Sequence, residues 1–278
     1  MMRTRNPNPL DVVMSEGHPI LMAHVYSGDP TAEFSHQLIR TLTSNGVDII
    51  EFGIPFSDPT SDGVTFQRAC KRALDNGMTP QKAIEGISRL RADGVRDPIV
   101  VTSYYNILHN MGVDVFIRRI CEAGANAVLV PDLPIEEADQ LLAQGAHHDI
   151  RVVLMISPNT PDHRLDRILR HASGLLYLTS VMGVTGVREQ LQPAIEEVIR
   201  RVAQRSPIPI LVGFGISKPE HAARVVCSGA AGVVIGSAIC QIYDTAIDAP
   251  STTLNQIGHL VRSIKDGCIQ GLQGRVGQ

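Results

Sequence analysis

Two carboxylates stand out by type and position. Glu51 sits at the end of a short apolar run, Val47 to Phe52, and Asp62 follows eleven positions later on the loop beyond it. An acid leaving a buried strand carries a desolvation cost unless it has a partner or chemistry to perform. Two carboxylates in different environments can supply both the acid and the base of one site. Pro55 and Pro59 stiffen the loop between them, because proline fixes φ and lowers the entropy lost on ordering. A structural salt bridge is the plainer use of either acid. Asp132, just past a later apolar run, is read as a brace for a neighbouring loop. Tyr104 and Tyr177 fall near strand ends, where they line a pocket for an aromatic ligand or simply pack. His24 points from the first strand, as a ligand contact or as a satisfied barrel histidine. The ten histidines form no HExxH and no ligand set, so no metal is expected.

A second kind of chemistry is written in glycines. Gly183 to Gly186, Gly213-Phe214-Gly215 and Gly236-Ser237 each follow an apolar run. Glycine lets backbone N–H groups approach an anion, and a helix starting just afterwards adds a favourable dipole. Ser237 adds a hydroxyl donor. GFGIS followed by IGSAI is therefore read as a phosphate cradle, with ordinary turn chemistry as the alternative. No GxxxxGK[ST] is present, so a phosphate monoester on a small metabolite suits it better than a nucleoside triphosphate.

The elements that must position these residues alternate regularly. Strands are expected at Ile20–Tyr26, Val47–Phe52, Ile99–Tyr104, Ala127–Val130, Arg151–Ile156, Gly174–Thr179, Ile208–Val212 and Gly232–Ile235. Helices between them are expected from about Thr31 (capped by Thr31 or Asp29), Thr65, Pro80 (capped by Thr79), Val113, Ile135, Arg164, Leu191 and Pro219, with a last one at Leu254–Lys265. Several strands are continuous apolar runs, as burial on both faces demands. Eight βα units over this length predict an α/β fold of one (β/α)₈ TIM-barrel domain, residues 1–278, with residues 1–18 as a short N-terminal helical extension. A doubly wound open sheet is the rival. In a barrel the site is built from loops after the strands, where the acids and glycines lie.

Composition narrows the classes. Across 278 residues the chain is 44% apolar and 19% charged with a net charge of −3, an ordinary globular balance that points to neither nucleic acid nor anionic membrane. No run reaches the length of a membrane span, and the N-terminus lacks the apolar stretch of a secretory signal. Cys70, Cys121, Cys227, Cys240 and Cys268 are scattered without a CxxC and read as reduced, cytoplasmic thiols.

These blocks together resemble the tryptophan synthase alpha-subunit family. The carrying residues are EFGIPFSDPTSDGVTFQ (Glu51 to Gln67), YYN (Tyr104 to Asn106), PDLPIEE (Pro131 to Glu137), GVTG (Gly183 to Gly186), GFGIS (Gly213 to Ser217) and IGSAI (Ile235 to Ile239), with GDP at Gly28 to Pro30. The resemblance spans about residues 20 to 240 and implies cofactor-free cleavage of indole-3-glycerol phosphate to indole and glyceraldehyde 3-phosphate. It implies Glu51 as acid/base and Asp62 as acceptor of the indole N–H. It implies a phosphate seat on Gly186, Gly215, Gly236 and Ser237, with Thr185 closing the sixth loop and Asp132 steadying the second. It also implies a β-subunit partner touching Pro55, Asp58, Pro59, Asn106 and Pro134. The chain departs from the family at His24 (usually an apolar aromatic), Tyr26 (usually Thr), and Thr102 and Thr179 (leucines of the indole pocket). Those hydroxyls suggest a more polar ring. The other readings are a stand-alone indole-3-glycerol-phosphate lyase of secondary metabolism, an isomerase or epimerase on another phosphorylated metabolite, and a non-catalytic subunit that binds a phosphorylated ligand.

Overall fold

Strand pairing runs in sequence order until the last strand meets the first. The computed structural model describes residues 7–179, 194–213, 215–246 and 249–276. In it β1 (Ile20–Tyr26), β2 (Ile49–Gly53), β3 (Ile99–Thr102), β4 (Ala127–Leu129), β5 (Arg151–Ile156), β6 (Leu176–Thr179), β7 (Ile210–Gly213) and β8 (Gly232–Ile235) close into a barrel. Every pair is parallel, including β1 with β8. The helices are α1 (Pro9–Ser15), α2 (Ala32–Ser44), α3 (Val64–Asp75), α4 (Pro80–Ala92), α5 (Tyr105–Met111), α6 (Val113–Ala123), α7 (Asp139–His148), α8 (Asp162–His171), α9 (Ile195–Ala203), α10 (Pro219–Cys227), α11 (Ser237–Asp244) and α12 (Pro250–Val276). The closed (β/α)₈ architecture is the expected one, and the open-sheet rival is excluded.

Period-two alternation sorts the strand side chains into two layers. Ile20, Met22, Ile49, Val100, Ala127, Leu129, Val153, Leu211 and Val234 fill the barrel interior. Their neighbours Leu21, Ala23, Val25, Ile50, Phe52, Val101, Val128 and Val233 pack under the helices. The helices meet them with apolar stripes: α2 buries Phe34, Leu38, Ile39 and Leu42 at the i, i+4, i+5, i+8 spacing of one helix face. Thr31 caps α2 through the Phe34 N–H at 3.1 Å. Asp29, the other candidate cap, is instead wholly buried against Arg72.

One end of the barrel is plugged. Leu10 of α1 is fully buried and joins the interior cluster. Asn8 accepts from the Leu10 N–H and donates to the carbonyls of Asn126 (3.0 Å) and Asp149 (2.7 Å), tying α1 across that mouth. The carboxyl ends of the strands form the other mouth, which is where the chemistry-bearing residues emerge.

Several boundaries differ from the sequence reading. β3 stops at Thr102, and α5 and α11 start at once after strand ends. Neither has a side-chain cap at its first turn, so no capping signal announces them. The helix expected from Ile135 is a 3₁₀ turn, Ile135–Glu137, followed by α7. The last helix is much longer than Leu254–Lys265 because Ile257, Val261, Ile264 and Cys268 keep one face buried. Among the described residues no helix is long and apolar enough to cross a membrane.

Candidate active site

Glu51 is the third of the five residues of β2, two before its last residue Gly53, and only 4% of it is exposed. It stays inside because its strand position faces the barrel axis, one layer above Ile49. The β1–β2 register makes His24 its direct neighbour. His24 Nδ1 lies 2.8 Å from Glu51 Oε1, and Thr102 of β3 donates its hydroxyl to the same oxygen at 2.8 Å. Glu51 Oε2 and His24 Nε2 are buried, with no hydrogen-bond partner among the described residues. Burial pulls the His24 pKa down, but the Glu51 charge and hydrogen bond outweigh it and leave the imidazole raised.

Asp62 is held in the same manner from the loop. Tyr26 donates to Asp62 Oδ2 at 2.5 Å and Tyr104 to the same oxygen at 3.0 Å. No bond from the described residues reaches Oδ1. Burial raises the Asp62 pKa, opposed by the Tyr26 bond, the His24 charge and the Tyr104 bond. Tyr26 and Tyr177 are pushed well up, first by burial and then by the nearby carboxylates, so both phenols remain protonated donors. The Tyr104 hydroxyl also accepts the Ser61 N–H at 3.1 Å, and its ring stacks on Phe56. The second loop is thereby pinned to the end of β3.

Both carboxylates open on one pocket, whose wall carries His24, Tyr26, Thr102, Tyr104 and Tyr177 on one side. Phe66, Leu129, Pro131, Met155, Ile216 and Val234 make the rest apolar. Gly215, Gly236 and Ser237 also line it. Two glycines allow close approach here: a methyl at Gly213 would overlap the Tyr177 hydroxyl, and one at Gly236 would press on Phe66 and the His24 β-carbon. Ser237 opens α11, and the Gly236 carbonyl takes the Ile239 and Cys240 amides. The preceding amides of that first turn are the unsatisfied donors that suit an anion. Among the described residues no Lys or Arg lines the pocket and no cluster of His, Cys, Asp or Glu is arranged to hold a metal.

Most of the site residues expected from sequence thus converge; five do not join them here. Thr179 faces the adjoining cavity, shared with Asp132 and Arg164, instead of this pocket. Asp132 accepts the Tyr105 N–H at 2.9 Å, a brace on the third loop. Thr185, Gly186 and Phe214 lie outside the described residues. The apolar walls have no local sequence signal, whereas Tyr26, the Asp62 partner, is marked by its period-two spacing from His24 on β1.

A model of the family described as tryptophan synthase alpha chain matches residues 10–268. The tryptophan synthase alpha chain of Methanocaldococcus jannaschii is 42% identical over 234 residues, 84% of this chain and 83% of that one. The solved tryptophan synthase subunit alpha of Legionella pneumophila superposes with a TM-score of 0.85 at 30% identity, covering 95% of this chain and 99% of that one. A chain of Mycobacterium tuberculosis tryptophan synthase matches with a TM-score of 0.83 at 30% identity, covering 94% and 96%.

Proposed function

This chain belongs to the family of tryptophan synthase alpha chains, carbon–carbon lyases of tryptophan biosynthesis, and from that premise we propose that it cleaves indole-3-glycerol phosphate with Glu51 and Asp62 as the working carboxylates. The observation that carries the reading is the matched pair of acids. Each is buried, each has two donors on one oxygen, and each keeps its other oxygen for a ligand in a pocket otherwise lined by apolar groups and aromatic rings.

The reaction must make the ring carbon that bears the side chain tetrahedral before the carbon–carbon bond can break. Glu51 in its acid form protonates that carbon. Positive charge then develops on the ring nitrogen, and the Asp62 carboxylate meets the N–H. A preorganised anion in a water-poor site stabilises such a charge far better than water does. The Glu51 carboxylate next takes the proton of the side-chain hydroxyl. The carbon–oxygen double bond forms, the carbon–carbon bond breaks, and its electrons restore the aromatic ring. The products are indole and glyceraldehyde 3-phosphate, and Glu51 is again an acid. Gly215, Gly236, Ser237 and the first turn of α11 suit the phosphate.

The free space between the pocket side chains is about 50 Å³, below the roughly 150 Å³ of an engineered cavity that admits benzene. A bicyclic ring therefore enters only as rim side chains move apart. The polar-ring reading loses its motive here. The Tyr26, Tyr104 and Thr102 hydroxyls are engaged by the carboxylates, and Thr179 is outside the pocket, so an unsubstituted indole leaves none of these groups unpaired.

Relatives of this family work with a β subunit, and the same partnership is assigned to this chain. Asp58, Asn106 and Pro134 are exposed around the mouth, whereas Pro55 and Pro59 are buried and act by shaping the loop. Family membership favours an alpha subunit over a stand-alone lyase, and the paired acids disfavour a non-catalytic subunit or an isomerase. A cytoplasmic location suits such an enzyme. The test is indole release from indole-3-glycerol phosphate by the purified chain, with and without a β subunit. Loss of roughly a hundredfold or more is expected in Glu51→Gln, the scale of a removed general acid/base. An undiminished mutant would sink the reading.

A further inference from the structure

Cleavage asks Glu51 to give a proton and take it back. Nothing in that cycle calls for a histidine, yet an imidazole lies 2.8 Å from the acid. His24 and Glu51 are register partners on adjacent strands, so their side chains stand side by side on the inner face of the barrel. His24 Nδ1 and the Thr102 hydroxyl, one from each flanking strand, both reach Oε1 at 2.8 Å. Oε2 is buried and takes no hydrogen bond from the described residues. The imidazole cannot swing away, because Tyr26 packs edge-on to it and Phe66 lies tilted against it, each with ring centroids 4.7 Å distant. The other titratable groups around the pair are Asp62, Tyr26, Tyr104 and Tyr177, of which only Asp62 carries charge.

We propose that His24 is a positioning residue for the cleavage: its Nδ1–H, together with the Thr102 hydroxyl, occupies Oε1 of Glu51 and reserves Oε2 as the oxygen that delivers the proton to the ring and recovers it from the substrate hydroxyl. The inference rests on the proposed reaction. In the first half the Oε2–H bond breaks and a carbon–hydrogen bond forms on the ring, leaving a carboxylate. In the second half the hydroxyl O–H bond breaks and Oε2–H re-forms as the aldehyde departs. His24 keeps its Nδ1 proton throughout.

Two physical gains follow. The terminal torsion of a glutamate is soft and roughly two-fold, so an unclamped carboxyl presents either oxygen. The buried anion formed mid-cycle is also costly unless donors meet it, and two of them are already in place. A purely structural histidine would show itself in stability, leaving the chemical step alone.

The test uses the full chain, assayed for indole release well below the melting temperature of each variant. His24→Phe keeps a ring and removes the donor; His24→Asn keeps an N–H near the Nδ1 position. His24→Phe is expected to lower kcat roughly tenfold or more with KM within about threefold, and His24→Asn to recover most of the loss. In parallel, ¹⁵N NMR of His24 is expected to show a hydrogen-bonded, protonated Nδ1 that reverts to an ordinary histidine pattern in Glu51→Ala. A His24→Phe kcat within about twofold of the parent, an Asn variant no better than Phe, or an NMR pattern indifferent to Glu51 would each overturn the inference. If the parent chain releases no indole with or without a β subunit, the reaction reading fails by itself, and the NMR comparison alone decides whether the clamp exists.

Discussion

Replacing Tyr26 by Phe removes one oxygen from a buried site, and its consequence can be worked through. Tyr26 is 3% exposed and Asp62 6%, and the bond between them is 2.5 Å long. A hydrogen bond to a charged group contributes about 1.5–3 kcal/mol. Tyr26→Phe removes that support from the carboxylate form of Asp62 and leaves the acid form untouched. Burial already holds the Asp62 pKa above the ordinary carboxylate value, and the Tyr26 bond is the first influence drawing it back. The variant therefore raises it further. Asp62 must be ionised to meet the cationic ring, so activity is lost as pH falls through its pKa. At about 1.4 kcal/mol per pH unit, the acid limb of kcat/KM should move to higher pH by roughly one to two units. The assay is initial-rate indole release from indole-3-glycerol phosphate at low substrate, which reports the free enzyme. Tyr104→Phe should move the limb less, because its bond to the same oxygen is 3.0 Å long. A Tyr26→Phe profile that overlies the parent, or a limb that moves to lower pH, would refute the assignment of Asp62 as an ionised partner.

Further predictions concern support, fit and anchorage. Arg72 grips wholly buried Asp29 through Nε at 2.7 Å and Nη2 at 3.0 Å, so Arg72→Met strands a buried charge and should cost about 3–5 kcal/mol in urea unfolding; a loss under about 1 kcal/mol, the size of a surface pair, would contradict it. Gly213→Ala puts a methyl onto the Tyr177 hydroxyl, and the displaced ring should raise KM roughly tenfold, in line with about 1–3 kcal/mol for overpacking; an unchanged KM would mean Tyr177 does not shape the pocket. Ser237→Ala should raise KM about fivefold with kcat nearly unaltered, the loss of about 1 kcal/mol of ground-state binding, and should weaken competitive inhibition by inorganic phosphate in step; a fall in kcat alone would take Ser237 out of the phosphate seat.

The linear chain was enough for the barrel and for both of its acids. Regular alternation of apolar runs with amphipathic stretches leaves a parallel barrel as the economical way to bury both faces of eight strands. Glu51 is conspicuous because a charge inside an apolar run is costly wherever it lands. Asp62 and the glycine turns were legible from their place after strands. The helices α5 and α11 were not, since each begins directly at a strand end without a capping side chain. Which polar groups meet was also beyond the chain alone. His24 and Glu51 lie side by side only because β1 and β2 pair in one register, and a slip of one residue would turn one of them to the outer face. Thr102 and Thr179 look alike as strand-end threonines, yet one holds Glu51 and the other lines the adjoining cavity. The pocket's apolar wall, from Leu129, Met155, Ile216 and Val234, has no local signature, because residues far apart in the chain share a surface only once the barrel closes. Local periodicity determined which residues face inward; register and closure decided which of them touch, and the chemistry depends on those contacts.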